Sequence, residues 1–240
     1  MATYLERYRA GEHREVWDEL GALGEAVRDA PVEDDARAVA RETMTRVRRN
    51  LAVLAGRLAG IGYEFGVYFD GSPCEGGPPL ARLSEDEREA LAELGERAGP
   101  IPLSLEAFWR EVGSVCFIGR RAGWPEGADP LVVDPPGGAL AGLDDWEAWV
   151  EDEGEDEVGP FVAPLAPDRL HKDNVSGGEA YWMILPDAAA DGVLRDEPHL
   201  LPFVDYLRLA ILGWGGFPGY ADAADALPEI RALVNGLEPF

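Results

Sequence analysis

The apolar positions in the first quarter of the chain repeat with helical spacing. Val16, Leu20, Leu23 and Val27 recur at intervals of four, three and four residues, and Pro31 interrupts the series. A second apolar series alternates strictly between four and three residues until Gly62, through Ala40, Met44, Val47, Leu51, Leu54, Leu58 and Ile61. Because two helices joined by a short loop form an antiparallel pair, the sequence predicts a helical hairpin over residues 1–62.

The ends and the packing of the longer helix follow from the same stretch. Asp34 or Asp35 is predicted to cap its start, and Gly62 is suited to the left-handed position that follows its end. A pair of amphipathic helices alone leaves apolar faces uncovered. We therefore expect the hairpin to pack on the rest of the chain or, as an alternative, on a second copy in a homodimer.

Residues 63–240 mix short strand-like segments with short helices, which predicts an α+β domain. Ser84 and Glu87 form a capping-box pattern at the start of a helix, and Gly113 ends the next one. A further helix is expected around residues 203–211, and a last one from Pro228. Strand-like composition occurs in YEFGVYFD, in residues 115–118, in DPLVVDP, and in residues 161–165 and 181–185.

The charge of the chain narrows the classes of partner. Over its 240 residues the formal net charge is −25 and the sequence pI is about 4.3. Such a surface repels phosphate groups, so direct nucleic-acid binding and binding to anionic membranes are not expected. It favours a basic protein partner. The other explanation is that the acidity only keeps the protein soluble or reflects a high-salt or high-GC source.

The N-terminal sequence does not resemble a signal peptide, and the chain has few cysteines; both features predict a cytoplasmic location. The N-terminal sequence MATYLERYRAGEHRE has charges where a signal peptide needs an apolar segment, and no apolar run approaches membrane-spanning length. Cys74 and Cys116 are too few for a disulfide framework or a four-cysteine zinc site. His13, His171 and His199 are scattered along the chain, so we expect no metal and no cofactor.

The most acidic segment, DDWEAWVEDEGEDE at residues 144–157, has no basic residue. One interpretation is an extended, solvated loop, because like charges repel. The other is a docking surface for a basic partner, with tryptophan anchors that could equally pack inward. The residues predicted to bind the partner are Asp144, Asp145, Trp146, Trp149, Glu151, Asp152 and Glu153.

The segment HKDNVSGGEAYW at residues 171–182 concentrates polar side chains before a predicted strand. Asp, Asn and Gly-Gly are typical of a tight turn and need no function there. Because loops on rigid scaffolds often bind ligands, a ligand turn of His171, Lys172, Asn174 and Ser176 is the second hypothesis. Catalysis has the least support, since the surroundings of Ser176 lack the G-x-S-x-G pattern of a nucleophile elbow. We therefore predict no catalytic residue.

The segment IPLSLEAFWREVGSVCFIG at residues 101–119 resembles the signature of the SUKH superfamily, the Smi/Knr-type domains. In that signature a proline-led helix with an aromatic residue runs into a Val-Gly-x-Val/Ile strand start. WPEGADPLVVDP, APDRLHKDNVSGGEAYWMILPD and FVDYLRLAILGWGGFPG resemble a bacterial branch of the group. The resemblance spans residues 99–220, so the N-terminal helices lie outside it and the acidic segment departs from it.

The resemblance implies a fold and a function. The fold is a mixed domain with a central, mostly antiparallel sheet flanked by helices, here residues 63–240, with the hairpin of residues 1–62 packed on it. The function is binding without catalysis: bacterial members are regarded as immunity proteins that neutralise a cognate toxin by occupying it. A basic toxin domain would be complementary to this acidic chain.

Two other classes of function stay open at this point. One is a self-associating regulatory or scaffold protein that assembles through its N-terminal helices and has no toxin partner. The other is an enzyme or small-ligand binder that uses the turn at residues 171–178.

Overall fold

The computed structural model describes residues 2–74, 76–125, 127–222 and 228–240, and helices dominate it. The α-helices in this part of the chain are α1 (Tyr4–Arg9), α2 (His13–Ala22), α3 (Val32–Gly60), α4 (Glu85–Arg97), α5 (Leu103–Glu111), α6 (Pro136–Glu153), α7 (Glu155–Val158), α8 (Arg169–Lys172), α9 (Phe203–Leu207) and α10 (Pro228–Val234). Short 3₁₀ helices cover Gly24–Arg28 and Pro218–Asp222, and a π-helix covers Arg208–Gly213. Among the described helices, none is long and apolar enough to cross a membrane.

The strands are short and pair only in antiparallel fashion within the described residues. They are β1 (Glu64–Phe65), β2 (Leu80–Ala81), β3 (Ser114–Cys116), β4 (Gly119–Arg120), β5 (Val132–Val133), β6 (Val162–Ala166) and β7 (Tyr181–Ile184). They form three small sheets with the orders β1-β4, β2-β3-β5 and β6-β7. The predicted α+β class with antiparallel pairing is confirmed, although the strands are divided among small sheets and do not form one central sheet.

The predicted long helix is α3, and it buries its apolar stripe within its own chain. From Val39 to Leu58 the apolar positions at spacings of three and four are buried, because α1, α5 and α10 pack on them. The predicted cap is wrong: the residue before α3 is Pro31, and it makes no side-chain capping bond. Instead the Asp35 carboxylate accepts the main-chain N–H groups of Tyr4 and Leu5, at 2.5 and 3.1 Å. Asp35 therefore caps the neighbouring helix α1, whose first N–H groups lack partners within the helix.

Polar contacts join the N-terminal helices to distant parts of the chain. The Asn50 side chain donates to the carbonyl of Glu238 at 2.7 Å and accepts the Glu238 N–H at 2.8 Å. Arg57 donates to the carbonyl of Leu233, and Arg28 donates to that of Ile101 at 2.5 Å. The hairpin thus packs on the rest of its own chain.

Helix α4 begins as predicted, but its capping pair is divided between two helices. The Ser84 hydroxyl accepts the N–H of Glu87 at 3.2 Å. The Glu87 carboxylate does not return to Ser84; it accepts the N–H of Gly137 at 2.9 Å, in the first turn of α6. Because that carboxylate lies 3.0 Å from where a Cβ of residue 137 would be, the close approach favours glycine there. Glu87 thus fixes α6 beside α4.

Gly113 ends α5, as predicted, and brings β2 against β3. Its φ angle is +95°, in the left-handed region that favours glycine. A Cβ at this position would lie 2.1 Å from the carbonyl oxygen of Ala81, in the paired strand. Both the backbone conformation and the strand pairing therefore require glycine at position 113.

Candidate functional site

The acidic segment is helical, which corrects the interpretation as an extended loop. It covers the C-terminal half of α6 and the first three residues of α7, and Gly154 with φ +91° separates the two helices. Pro136 at the first turn favours the start of α6, and Ala139 and Leu143 are buried against α4 and β6. The carboxylates of α6 lie outside this buried stripe, so the helix accommodates them without burying charge.

Two carboxylates in the first half of the acidic segment are compensated by a cation. The Arg97 guanidinium contacts Asp144 and Glu147 at 2.7 Å each, and it also binds Glu93 in its own helix at 2.7 Å. Trp146 points inward: its ring packs on Phe161 at 5.9 Å, and its Nε1 donates to the carbonyl of Gly159 at 3.0 Å. Two of the residues predicted to bind a partner, Asp144 and Trp146, therefore have structural partners.

The remaining predicted residues form an exposed surface, which we call the acidic patch. Its members are Asp145, Trp149, Glu151, Asp152 and Glu153, all of them exposed. Trp149 is 58% exposed, which is unusual for a residue with so large an apolar group. Asp145, Asp152 and Glu153 lie four residues before it and three and four after it, and therefore on the same face of α6. In the described part of the chain no ion pair involves the four carboxylates.

Lys172 does not belong to an exposed turn. It is the last residue of α8, and its side chain is fully buried. Its Nζ lies 2.7 Å from Oδ1 of Asp129 and 4.4 Å from the centre of the Tyr181 ring. The Tyr181 hydroxyl donates to the other Asp129 oxygen at 3.1 Å. The ammonium group is thus occupied inside the protein.

His171 and Asp168 form a hydrogen-bonded pair at the surface. Nδ1 of His171 lies 2.5 Å from Oδ2 of Asp168, and Oδ1 of Asp168 accepts the N–H groups of Leu170 and His171. Burial raises the pKa of Asp168, but the hydrogen bonds from His171 and these N–H groups outweigh it, so its pKa lies below its usual range. The pair orients the half-exposed imidazole.

Glycine is required at position 178, beside this pair. A Cβ there would lie 2.6 Å from Oδ2 of Asp168, and φ is +120°. The Gly-Gly sequence therefore lets the chain pass over the Asp168 carboxylate.

The other two residues of the predicted ligand turn, Asn174 and Ser176, form no catalytic arrangement with His171 in the described part of the chain. Asn174 has φ +62° and donates to Asp70 at 3.3 Å and to Ser72 at 3.2 Å, so it fastens the turn to the loop after β1. Ser176 is exposed, and within the described residues no hydrogen bond joins it to His171. The structure therefore brings His171 to Asp168 and not to a nucleophile.

Sequence reasoning missed Asp168 and Asp129. Asp168 has a recognisable signal, because an aspartate at the start of a short helix is a frequent N-cap. Asp129 has none, since its partner is 43 residues away in sequence. For metals, the described residues hold no group of three or more His, Cys, Asp or Glu side chains that could bind an ion.

Comparisons with known proteins provide no relative. A scan against protein-family models finds no match, and searches of curated proteins and of solved structures find no similar chain. The resemblance to the SUKH superfamily therefore stays a prediction.

Proposed function

We propose that the protein is a non-catalytic binding protein whose acidic patch occupies a basic surface of another protein, and that this partner is a bacterial toxin that it neutralises. The observation that carries the proposal is an exposed tryptophan surrounded by carboxylates that form no ion pair among the described residues. Such a surface combines a desolvatable aromatic anchor with charge that steers a basic partner.

The position of the charges argues against a purely structural role. Glu151, Asp152 and Glu153 lie in the last turn of α6, which contains no basic residue. Because the C-terminal end of a helix carries partial negative charge, each carboxylate there opposes helix stability by about 0.3–1 kcal/mol. Charge that costs stability and makes no ion pair in the described part of the chain is consistent with selection for binding.

The alternatives have weaker support. Self-association through the N-terminal helices needs an exposed apolar face. Helix α3 packs its apolar face against its own chain, and the large apolar residue that it exposes is Val53. An enzyme using the turn at residues 171–178 needs a reacting group beside His171, and Lys172 is buried in an ion pair with Asp129. The resemblance of residues 101–119 to the SUKH signature favours binding on independent grounds.

The test compares two variants that lose equal charge. The patch variant carries Asp145→Asn, Glu151→Gln, Asp152→Asn and Glu153→Gln. The control variant carries Glu15→Gln, Asp18→Asn, Glu25→Gln and Asp34→Asn, at exposed positions of the N-terminal helical region that form no ion pair among the described residues. Each is used to capture partners from source-cell lysate, and a partner captured in equal amount by the wild type is then purified.

The affinity of the purified partner is measured at low and high salt. We expect the patch variant and Trp149→Ala each to weaken binding at least about tenfold, and the control to bind as the wild type does. Equal affinity for all forms, or the absence of a stoichiometric partner, would contradict the proposal. Expression of the partner alone should arrest growth, and co-expression of the wild type, but not of the patch variant, should restore growth. If the partner is harmless, the proposal of toxin neutralisation is wrong, and only the proposal of partner binding stands.

A further inference from the structure

The two cysteines of the chain lie side by side in the fold. Cys116 is on β3 and is buried, and Cys74 is half-buried in the segment after β1. Their side chains are within hydrogen-bonding reach of each other. A Cβ placed on Gly76 would lie 2.6 Å from the Cys116 sulfur and 3.3 Å from the Cys74 sulfur. The sum of these distances is the upper limit of the sulfur separation.

Main-chain hydrogen bonds hold the backbone of both cysteines in place. The N–H of Cys74 donates to the carbonyl of Gly66 at 2.9 Å, and the N–H of Gly66 donates to that of Ile118 at 3.0 Å. On the other side, the N–H of Cys116 donates to the carbonyl of Pro79 at 3.2 Å. The contact between the thiols is therefore built into strand pairing around β3.

Gly76 keeps the space between the sulfurs free. Its φ angle is not in the left-handed region, so its backbone conformation alone does not demand glycine. Any side chain at this position would meet both sulfurs. The requirement for glycine thus comes from the thiol pair itself.

We propose that Cys74 and Cys116 are a reversible modification site, a dithiol that closes to a disulfide through exchange with small-molecule disulfides such as oxidised glutathione. The Cys74 thiolate attacks one sulfur of oxidised glutathione, whose S–S bond breaks, and one glutathione thiolate leaves. Cys116 then gives its proton to solvent and attacks the Cys74 sulfur, and the second glutathione leaves. The protein loses two hydrogens, and one oxidised glutathione becomes two reduced molecules.

The accessibility of the two thiols sets the order of the steps. Cys116 is only 6% exposed, and burial raises its pKa to about 11. Cys74 is the more accessible sulfur, so it reacts with the external disulfide, and Cys116 completes the bond. Formation of the disulfide would link the segment after β1 covalently to β3. This segment carries Asp70 and Ser72, which accept hydrogen bonds from Asn174.

The experiment equilibrates the full-length protein in buffers with graded ratios of oxidised to reduced glutathione, folded and in urea. Intact mass and non-reducing peptide mapping then quantify the products. We expect the folded protein to lose two hydrogens and yield one peptide linking residues 74 and 116, at a ratio at least about tenfold lower than the unfolded chain requires. The decisive condition is the glutathione ratio at which the unfolded chain forms its internal disulfide. The proposal would be overturned if the folded protein at that ratio stays reduced, gains two glutathiones or forms intermolecular disulfides.

Single variants test the order of the steps. Cys116→Ser should stop at a mixed disulfide between Cys74 and glutathione, whereas Cys74→Ser should remain unmodified while it is folded. Equal rates of modification in the two variants would contradict the assigned order. Gly76→Ala should lower the tendency to close, and unchanged closure in that variant would contradict the placement of the sulfurs.

Discussion

Lys172 and Asp129 form an ion pair of 2.7 Å whose side chains are 0% and 2% exposed. Both residues lie close to features singled out in the sequence, yet the pair joins the short helix α8 to the loop before β5 in the interior. Two charges buried together stabilise the fold only as a pair, because either one alone would be left without water or a counter-charge.

We expect removal of one partner to be strongly destabilising. Lys172→Met or Asp129→Asn should lower the free energy of unfolding by about 3–5 kcal/mol in urea titrations, since each leaves the other charge buried without its counter-charge. Arg88→Ala, which breaks an exposed ion pair with Glu85, is the control and should cost less than about 1 kcal/mol. If the buried and exposed pairs cost the same, the ion pair does not have the role described.

Asp191 should make stability fall as pH rises. Burial raises its pKa to about 7, although it accepts hydrogen bonds from Ser104 at 2.5 Å and from the N–H of Val204 at 3.1 Å. Its ordinary value is 3.8. Between these two values the folded protein holds a proton that the unfolded chain has released, so the free energy of unfolding decreases with pH in this window.

Asp191→Asn isolates this effect because it keeps a neutral group at the position. The stability of the variant relative to the wild type should rise between about pH 4 and pH 7, by on the order of a few kcal/mol, and then level off. Chemical denaturation across pH 4–8 measures the difference, and Asp18→Asn controls for the chemical change itself. A difference that does not vary with pH would refute the assignment.

Removing charge from the end of α6 should stabilise the protein while it weakens partner binding. Asp152→Asn with Glu153→Gln should raise the free energy of unfolding by about 0.3–1 kcal/mol per site, because both carboxylates face the negative end of the helix. Asp86→Asn, in the first turn of α4, is the opposite case and should lower it. Thermal or urea unfolding gives both values, and stabilisation by all three changes would implicate net charge instead of the helix end.

Two glycines should respond oppositely to alanine. Gly113→Ala would combine a φ of +95° with a clash against the carbonyl of Ala81, so we expect a loss of roughly 3 kcal/mol or more. Gly56→Ala, inside α3 with no atom near its added methyl group, should gain about 0.5–1 kcal/mol. Urea midpoints that move in the same direction would contradict the two environments.

Asp35 and Asp34 allow a matched comparison of capping. Asp35→Ala should lower the free energy of unfolding by about 1–2 kcal/mol because it deprives Tyr4 and Leu5 of their hydrogen-bond acceptor. Asp34→Ala, at an exposed neighbouring position, should have a smaller effect. Amide hydrogen exchange should show faster exchange at Tyr4 and Leu5 in the first variant only, and unchanged exchange there would refute the cap.

The sequence predicts elements whose signals are local and misses those whose causes are distant. The stripe of α3, the cap of α4 at Ser84 and the strand β7 all follow from spacing and composition. Helix α6 does not, because its first turns contain glycines that disfavour a helix when seen alone. Glycine at position 137 leaves room for the Glu87 carboxylate. Glycine at position 142 leaves room for Pro164, whose ring would lie 2.9 Å from a Cβ at that position.

The candidate site divides in the same way. The acidic segment was recognisable as a surface, but only the fold separates Asp144, held by Arg97, from the unpaired carboxylates around Trp149. The polar turn was recognisable as a turn, but burial of Lys172 depends on Asp129, which is 43 residues away in sequence, and on the Tyr181 ring. Side-chain partners far apart in sequence leave no periodic trace.

The hydrogen bonds between Asn50 and Glu238 also bear on the order of folding. They join residues 188 positions apart, and Arg57 reaches Leu233 across 176 positions. A 29-residue helix forms locally and fast, but contacts of such high sequence separation carry a large loop-closure cost. During synthesis α3 would emerge long before residues 233–240, so its final docking must wait until those residues have also left the ribosome.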